Sequence, residues 1–158
     1  MVEVVIVDCI KVVTFTTRRA DGSIDSCAVV ALARERLSPT GDLGATAGSL
    51  VAIGYSSGAI LISALLSIAP ERFAGAVLLR PEPFADDFVF PGMVAMPVLI
   101  LSGKNDDRRK PCAAPRLAMQ RSDAGSIVTR HALEAGHGWA PNHADAILTG
   151  SWLSQFSA

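Results

Sequence analysis

The chain has 158 residues, of which 50% are apolar and 18% charged, and its formal net charge is −1. This length corresponds to one domain with a single core, and the composition excludes an intrinsically disordered chain. A charge so close to zero excludes long-range electrostatic attraction to nucleic acid or to an anionic membrane surface.

The predicted elements begin with an apolar region rich in Val and Ile. Residues 2–16 predict one or two strands, and within a single domain spanning 1–158 we leave the strand region 1–15 unplaced. A loop at 18–22 follows. A helix is then predicted over 23–37, and it ends at the breaker sequence Ser38-Pro39-Thr40-Gly41.

From residue 50 onward, short apolar strands alternate with helices. We predict strands over 50–53, 75–79, 98–101 and 127–132, and helices over 57–68, 113–121 and 142–156. The last helix carries four apolar residues on one face, which predicts packing on a flat surface. They are Ile147, Leu148, Trp152 and Phe156. This alternation predicts an α/β fold with a mostly parallel sheet and helices on both faces.

One apolar segment has two interpretations. No charged residue occurs from 43 to 70, and residues 49–69 are long enough to span a bilayer as one helix. The small residues Gly54, Ser56, Ser57 and Gly58 interrupt this segment, with a β-prone run before them and helix-forming residues after them. A buried strand, a tight turn and a buried helix explain the segment better, and a membrane-anchored protein is the alternative.

The turn in this segment, Gly54-Tyr55-Ser56-Ser57-Gly58, matches the pattern G-x-S-x-G. Between a strand and a helix, this turn pushes the serine side chain out above the sheet. Ser56 is therefore predicted to be a nucleophile. The N–H of Ser57, at the helix N-terminus, is predicted to be an oxyanion-hole donor. Glycines flank the serine because a Cβ there would collide with the backbone. In the alternative, Ser56 only caps the helix.

An acid and a histidine follow in the order that such a serine hydrolase needs. Asp106 lies just past a predicted strand, and spacing does not exclude its neighbour Asp107. His137 lies between Gly136 and Gly138, and we expect these glycines to free the backbone so that it can aim the imidazole. His137 would take the serine proton, and Asp106 would hold the opposite ring nitrogen.

The other polar candidates are weaker. His131 lies within a predicted strand, and His143 at the start of the last helix is expected to be at the surface. Their spacing matches no metal site, so no metal ligand is predicted. The run Arg108-Arg109-Lys110 directly follows Asp106-Asp107, which predicts a solvated loop of mixed charge rather than a phosphate site.

Cysteine usage indicates the compartment. Cys9, Cys27 and Cys112 are too few and too scattered for a disulfide framework, and an odd number of thiols fits a reducing compartment. The N-terminus lacks the basic region and small-residue cleavage site of a signal peptide. We therefore predict a cytoplasmic protein.

These motifs resemble the phospholipase/carboxylesterase-like branch of the α/β-hydrolases, which includes small esterases and acyl-protein thioesterases. The similarity extends from about residue 50 to residue 153, in the family's order and approximate spacing. The segments that carry it are VAIGYSSGA (51–59), FAGAVLLRP (73–81), PVLILSGKND (97–106), AGHG (135–138) and WL (152–153).

The resemblance implies that Ser56, Asp106 and His137 are nucleophile, acid and base. It also implies a short-chain carboxylic ester or a thioester as substrate, and no metal or organic cofactor. We expect a small-molecule ester as partner, with neither nucleic acid nor a membrane, and we leave a homodimer open.

The chain departs from this family in one feature. Family members carry an early His-Gly loop that supplies the second oxyanion donor, whereas the only His-Gly here is His137-Gly138. We therefore expect that loop to be missing or replaced. The competing function is a weak or inactive hydrolase remnant that binds a partner.

Overall fold

The computed structural model describes residues 3–7, 16–38, 50–86, 88, 90–92 and 95–156, with the backbone alone described for 3–7. Strands and helices alternate along these residues. They are β1 (Glu3–Val7), α1 (Ser26–Leu37), β2 (Leu50–Tyr55), α2 (Ser57–Ile68), β3 (Phe73–Leu79), β4 (Pro97–Gly103), α3 (Ala113–Asp123), β5 (Ile127–Leu133) and α4 (Ala144–Leu153). The rest of the unplaced N-terminal region, 1–2 and 8–15, lies outside the described residues.

The five strands form one sheet in chain order, β1-β2-β3-β4-β5, and every neighbouring pair is parallel. Parallel neighbours need a crossover connection, because a tight hairpin reverses the chain direction. α1, α2 and α3 lie in three of these connections. The predicted α/β fold with a mostly parallel sheet is therefore confirmed.

The strand side chains alternate between two apolar clusters, as expected for a sheet that is covered on both faces. Leu78 and Ile100 belong to the larger cluster, to which α1, α2 and α3 contribute. Leu79 and Leu101 belong to the smaller cluster, against which α4 packs. Right-handed crossovers keep helices on one face when the strands advance in one direction. α4 follows the last strand and is free to cover the other face.

α2 is buried along nearly its whole length, from Gly58 to Ser67, and contacts α1, β2 and β3. A helix that is apolar all round is stable in water only in such a position. Because β2, a turn and α2 occupy the apolar segment, the strand–turn–helix interpretation of residues 49–69 is confirmed. Among the described helices, none combines the length and the apolar composition needed to cross a membrane.

The last helix differs from its prediction at one residue. Leu148 and Trp152 pack on the smaller cluster, and Phe156, in a 3₁₀ turn after α4, contacts Trp152 at a ring distance of 5.1 Å. Ile147 is 63% exposed, so the expectation that it shares this face is wrong. The contacting residues Leu148, Trp152 and Phe156 are spaced four apart, and Ile147, one residue before Leu148, points about 100° away from them around the helix axis.

Candidate active site

Ser56 occupies the turn between β2, which ends at Tyr55, and α2, which begins at Ser57. Its backbone has φ 55° and ψ −112°, a conformation that residues with a side chain seldom adopt. The Ser56 N–H donates to the carbonyl of Leu79 at 2.8 Å. The strained turn therefore lies at the carboxyl end of two parallel strands, where the predicted nucleophile was expected.

Gly54 explains why this turn can be so tight. A Cβ at this position would lie 2.6 Å from Cδ1 of Ile62, 2.7 Å from the nitrogen of Ala59 and 2.7 Å from the carbonyl carbon of Gly58. The last two atoms are helix backbone and cannot move aside without moving α2. The steric reason predicted for this glycine is confirmed.

Ser56, His137 and Asp106 form one hydrogen-bonded chain. Oγ of Ser56 lies 2.9 Å from Nε2 of His137, and Nδ1 of His137 lies 2.9 and 3.0 Å from the two carboxylate oxygens of Asp106. A carboxylate only accepts hydrogen bonds, so its position assigns the imidazole proton to Nδ1 and the lone pair to Nε2. Asp107, the competing acid, is exposed, and it is Asp106 that contacts the imidazole.

The loops that carry Asp106 and His137 are joined through their backbones. The Asn105 N–H donates to the carbonyl of Ala135 at 3.0 Å. Gly103 permits this approach, because a Cβ there would lie 2.5 Å from the same carbonyl oxygen. The distance between acid and base is therefore set by main-chain contacts at the ends of β4 and β5.

Arg80 holds the backbone of the loop between β5 and α4 that carries His137, which we call the histidine loop. Its Nε donates to the carbonyl of Gly136 at 3.1 Å and its Nη2 to that of Gly138 at 2.8 Å, so it grips the backbone on both sides of His137. Asp145 of α4 accepts two further bonds from Arg80, at 2.8 and 2.9 Å. Arg80 is fully buried and Asp145 is 1% exposed, so water does not compete for this pair.

Tyr55 supports the same loop from the side of the nucleophile. Its hydroxyl donates to the carbonyl of His137, and its ring meets the imidazole edge-on at 5.7 Å. The Tyr55 ring also stacks on Trp139 at 5.2 Å, and Trp139 is 66% exposed beside the site. Burial raises the pKa of Tyr55, which keeps the phenol protonated as a donor.

The pKa of His137 is lowered from its ordinary value, chiefly by burial, which penalises the charged imidazolium. The positive charges of Arg109 and Arg108 lower it further, while the hydrogen bond and charge of Asp106 act in the opposite direction. At neutral pH the imidazole is therefore neutral and able to accept a proton at Nε2.

Arg109 contacts the nucleophile, although nothing in its sequence context predicts this contact. Its Nη2 donates to Oγ of Ser56 at 2.9 Å and its Nε to the carbonyl of Arg80 at 2.9 Å. The side chain is only 9% exposed, so the expectation of a solvated loop is wrong for Arg109, although Arg108 and Lys110 are exposed. The loop turns inward at Arg109 because the carbonyl of Arg80 and the carboxylate of Glu82 lie there.

The glycines on either side of His137 do not have the role expected of them. Neither Gly136 nor Gly138 has a positive φ. A Cβ on Gly138 would meet nothing within 4 Å, and one on Gly136 would lie 3.5 Å from the carbonyl oxygen of Asn105, an ordinary contact. The expectation that glycine freedom aims the imidazole is wrong, since the loop is held by Arg80 and Tyr55.

The remaining predicted residues lie where the sequence placed them. Ser57 is the first residue of α2, directly after the nucleophile. His131 lies within β5, and His143 is exposed at the start of α4. Among the described residues, no three histidine, cysteine or acidic side chains come together in a way that could hold a metal ion.

Two cavities lie beside the chain of hydrogen bonds. One of about 660 Å³ is lined in part by Arg18 and Glu82, and one of about 220 Å³ is lined in part by Asp106 and Arg109. Neither has Ser56 or His137 in its walls. Glu82 in the wall of the larger cavity contacts Arg109 at 3.0 Å.

Known structures with the same fold include two carboxylesterases. The carboxylesterase of Bacillus cereus matches with a TM-score of 0.74 and 23% identity, over 88% of this chain and 66% of that protein. The carboxylesterase of Mesorhizobium loti matches with a TM-score of 0.72 and 24% identity, over 89% of this chain and 68% of that protein.

A plant protein, Arabidopsis thaliana SOBER1, matches with a TM-score of 0.69 and 19% identity, over 89% of this chain and 70% of its own. The chain thus spans about two thirds of the length of these relatives. No protein-family model and no curated protein sequence matches it. The agreement in structure confirms the fold that the sequence motifs implied, and the chain has an α/β-hydrolase fold.

Proposed function

We propose that the chain is a serine hydrolase that cleaves short-chain carboxylic esters, or thioesters, through an acyl-enzyme. The observation that carries the proposal is the hydrogen-bonded chain from Ser56 through His137 to Asp106, with the serine on a positive-φ turn at a helix N-terminus. Carboxylesterases among the structures with this fold support the same reaction class. Identities of 23% and 24% carry over no substrate.

In the first half of the reaction, Oγ of Ser56 attacks the ester carbonyl and its proton passes to Nε2 of His137. The electron pair of the carbonyl moves onto its oxygen, which becomes an oxyanion. Collapse of this intermediate re-forms the carbonyl and expels the alcohol, which takes the proton from His137. Asp106 holds Nδ1 and stabilises the imidazolium while it exists.

In the second half of the reaction, water takes the place of the serine as nucleophile. It attacks the acyl-enzyme, gives a proton to His137, and a second oxyanion forms. Its collapse releases the carboxylic acid and returns the proton to Oγ of Ser56. The backbone N–H of Ser57, at the positive end of the α2 dipole, is one proposed donor to both oxyanions.

The partner and the compartment belong to the same proposal. A small-molecule ester is the proposed partner, without metal or organic cofactor, in the cytoplasm. Cys27 and Cys112 are exposed free thiols, which suits a reducing compartment.

Hydrolysis of p-nitrophenyl acetate by the purified chain tests the proposal, with Ser56→Ala measured beside it. We expect activity in the parent and background rates in the variant. Equal background rates in two folded samples would instead favour the inactive remnant that binds a partner.

A matched pair of aspartate variants tests the assignment of the acid. Asp106→Asn should lower kcat by about 10⁴-fold, because an amide stabilises the wrong imidazole tautomer. Asp107→Asn removes the same charge from the exposed neighbour and should leave kcat near that of the parent. Equal losses in both variants would contradict the assignment.

A further inference from the structure

Arg109 is the one side chain besides His137 whose hydrogen bond to Oγ of Ser56 the structure describes. We infer that the Arg109 guanidinium is a catalytic group that donates to the oxyanion, in addition to the N–H of Ser57. The inference rests on the proposed esterase function.

The guanidinium is fixed in place before any substrate arrives. Its Nε donates to the carbonyl of Arg80 at 2.9 Å, and its Nη1 donates to the carbonyl of Arg108 at 3.1 Å and lies 3.0 Å from Oε1 of Glu82. These contacts leave Nη2 as the end that points at Ser56. A donor held by other groups needs little reorganisation when charge develops, and such preorganisation makes electrostatic stabilisation effective.

Among the described residues, Arg109 shares its ion-pair partner Glu82 with a second arginine. Glu82 is shared, because it also pairs with Arg18, so two guanidinium groups face one carboxylate. Arg18 is 42% exposed, whereas Glu82 and Arg109 are 17% and 9% exposed, so water screens the outer arginine far more than the inner one. Burial also lowers the pKa of Arg109, since the cation has lost water there. Negative charge that develops on the oxygens beside Ser56 would therefore attract the Arg109 guanidinium.

The reaction itself creates the acceptor at the right place. In the free enzyme, Nη2 bonds to Oγ of Ser56. Once Oγ is bonded to the carbonyl carbon it is a poorer acceptor, while the oxyanion on that same carbon is a strong one. Two oxygens on one carbon are closer together than a hydrogen bond is long. Nη2 can therefore pass from Oγ to the oxyanion with a small movement of the side chain, and return when the carbonyl re-forms.

The experiment compares the parent with Arg109→Met and Arg109→Lys, and uses Lys104→Met as matched control. Lys104 lies in the same loop as Arg109, and its side chain is 51% exposed and pairs with exposed Glu134. Removing one oxyanion donor costs about 10²–10³-fold in rate. We therefore expect kcat for p-nitrophenyl acetate to fall about 100-fold or more in Arg109→Met, with KM little changed.

Arg109→Lys retains the charge but lacks the planar set of donors of the guanidinium, so we expect a smaller loss of kcat, about tenfold. If Arg109→Met does not fold, as thermal unfolding would reveal, this variant carries the test. Lys104→Met should match the parent in every measurement.

Two further readouts separate oxyanion stabilisation from other roles. Loss of the Arg109 charge also raises the pKa of His137, so the full pH profile of kcat is needed. The oxyanion role predicts that the loss persists on the alkaline plateau, where His137 is neutral in all variants. It also predicts that a trifluoromethyl ketone, which adds to the serine and carries an oxyanion, binds more weakly by about the factor lost in kcat.

The outcomes are distinguishable. If the parent is no faster than Ser56→Ala, the proposed esterase function fails and the inference fails with it. If the parent is active and Arg109→Met equals it, only the inference fails. A loss that disappears on the alkaline plateau would assign Arg109 to control of the His137 pKa. A loss seen only in KM, or only with esters that carry a carboxylate, would assign it to substrate binding, and either result overturns the oxyanion role.

Discussion

The nucleophile turn and the histidine loop reach the same site by different means. The turn is built locally, because Gly54, the strained Ser56 and the buried start of α2 are neighbours in sequence. The histidine loop is built at a distance, because the side chains of Arg80 and Tyr55 hold its backbone from 56 and 82 residues away. Local steric packing fixes one reacting group, and a buried polar network fixes the other.

This difference predicts that the two regions fail in different ways. A variant in the turn should disturb the fold itself, since α2 is part of the larger cluster. A variant in the polar network should leave Ser56 in place and release His137. Substitutions in each region distinguish these two outcomes.

Asp145→Ala removes the carboxylate of the buried Arg80–Asp145 ion pair that supports the histidine loop. It leaves the Arg80 guanidinium buried without its carboxylate, which costs about 3–5 kcal/mol of the free energy of unfolding. We also expect kcat to fall, because the carbonyls around His137 lose a fixed partner. Chemical denaturation and ester hydrolysis measure both effects.

The control for this variant is Glu134→Ala, which breaks an exposed ion pair with Lys104. Exposed pairs contribute about 0–1 kcal/mol, so its stability should stay close to that of the parent. Similar losses in the two variants would contradict the special role of the buried pair.

Gly54→Ala tests the local construction of the turn. Its Cβ would meet the backbone of α2 at 2.7 Å, so we expect a loss of about 3 kcal/mol or more in the free energy of unfolding. Gly138→Ala, in the histidine loop, adds the same methyl group where nothing lies within 4 Å. It should change stability by less than about 0.5 kcal/mol. If the two variants were equally destabilised, the contrast between the regions would be wrong.

The pH dependence gives the mildest test of the histidine loop. The neutral imidazole is the active form, so kcat/KM falls as the pH drops through the His137 pKa. Because burial lowers that pKa, the acid limb should have its midpoint below the ordinary histidine value of about 6.5. Asp145→Ala, which loosens the loop and admits water, should move the midpoint upward. A parent midpoint above the ordinary value would contradict the buried, neutral imidazole.

Features that depend on residues close together along the chain could be predicted from the sequence. α2 begins at Ser57 and ends at Ile68 as predicted, because apolar helix formers follow a Gly-rich turn without interruption. The motifs also predict that Ser56, Asp106 and His137 lie together, and one hydrogen-bonded chain joins them.

Contacts between residues far apart along the chain could not be predicted from the sequence. Nothing near Arg80 indicates that it pairs with Asp145, 65 residues away. The choice between Asp106 and Asp107 depends on which side chain the turn after β4 directs at His137, and spacing does not encode that direction. The charged run 108–110 predicts a solvated loop, whereas Arg109 turns inward to partners that lie elsewhere in the chain, Arg80 and Glu82.

Trapping the acyl-enzyme shows directly whether Ser56 is a nucleophile that His137 activates. The parent is mixed with p-nitrophenyl acetate, quenched in acid during turnover and digested, and the peptides are analysed by mass spectrometry. We expect a single acetyl group on Ser56 in the parent and its loss in His137→Ala, because the serine is not activated without its base. Acetylation spread over lysines, or unchanged in His137→Ala, would contradict a Ser56 nucleophile activated by His137.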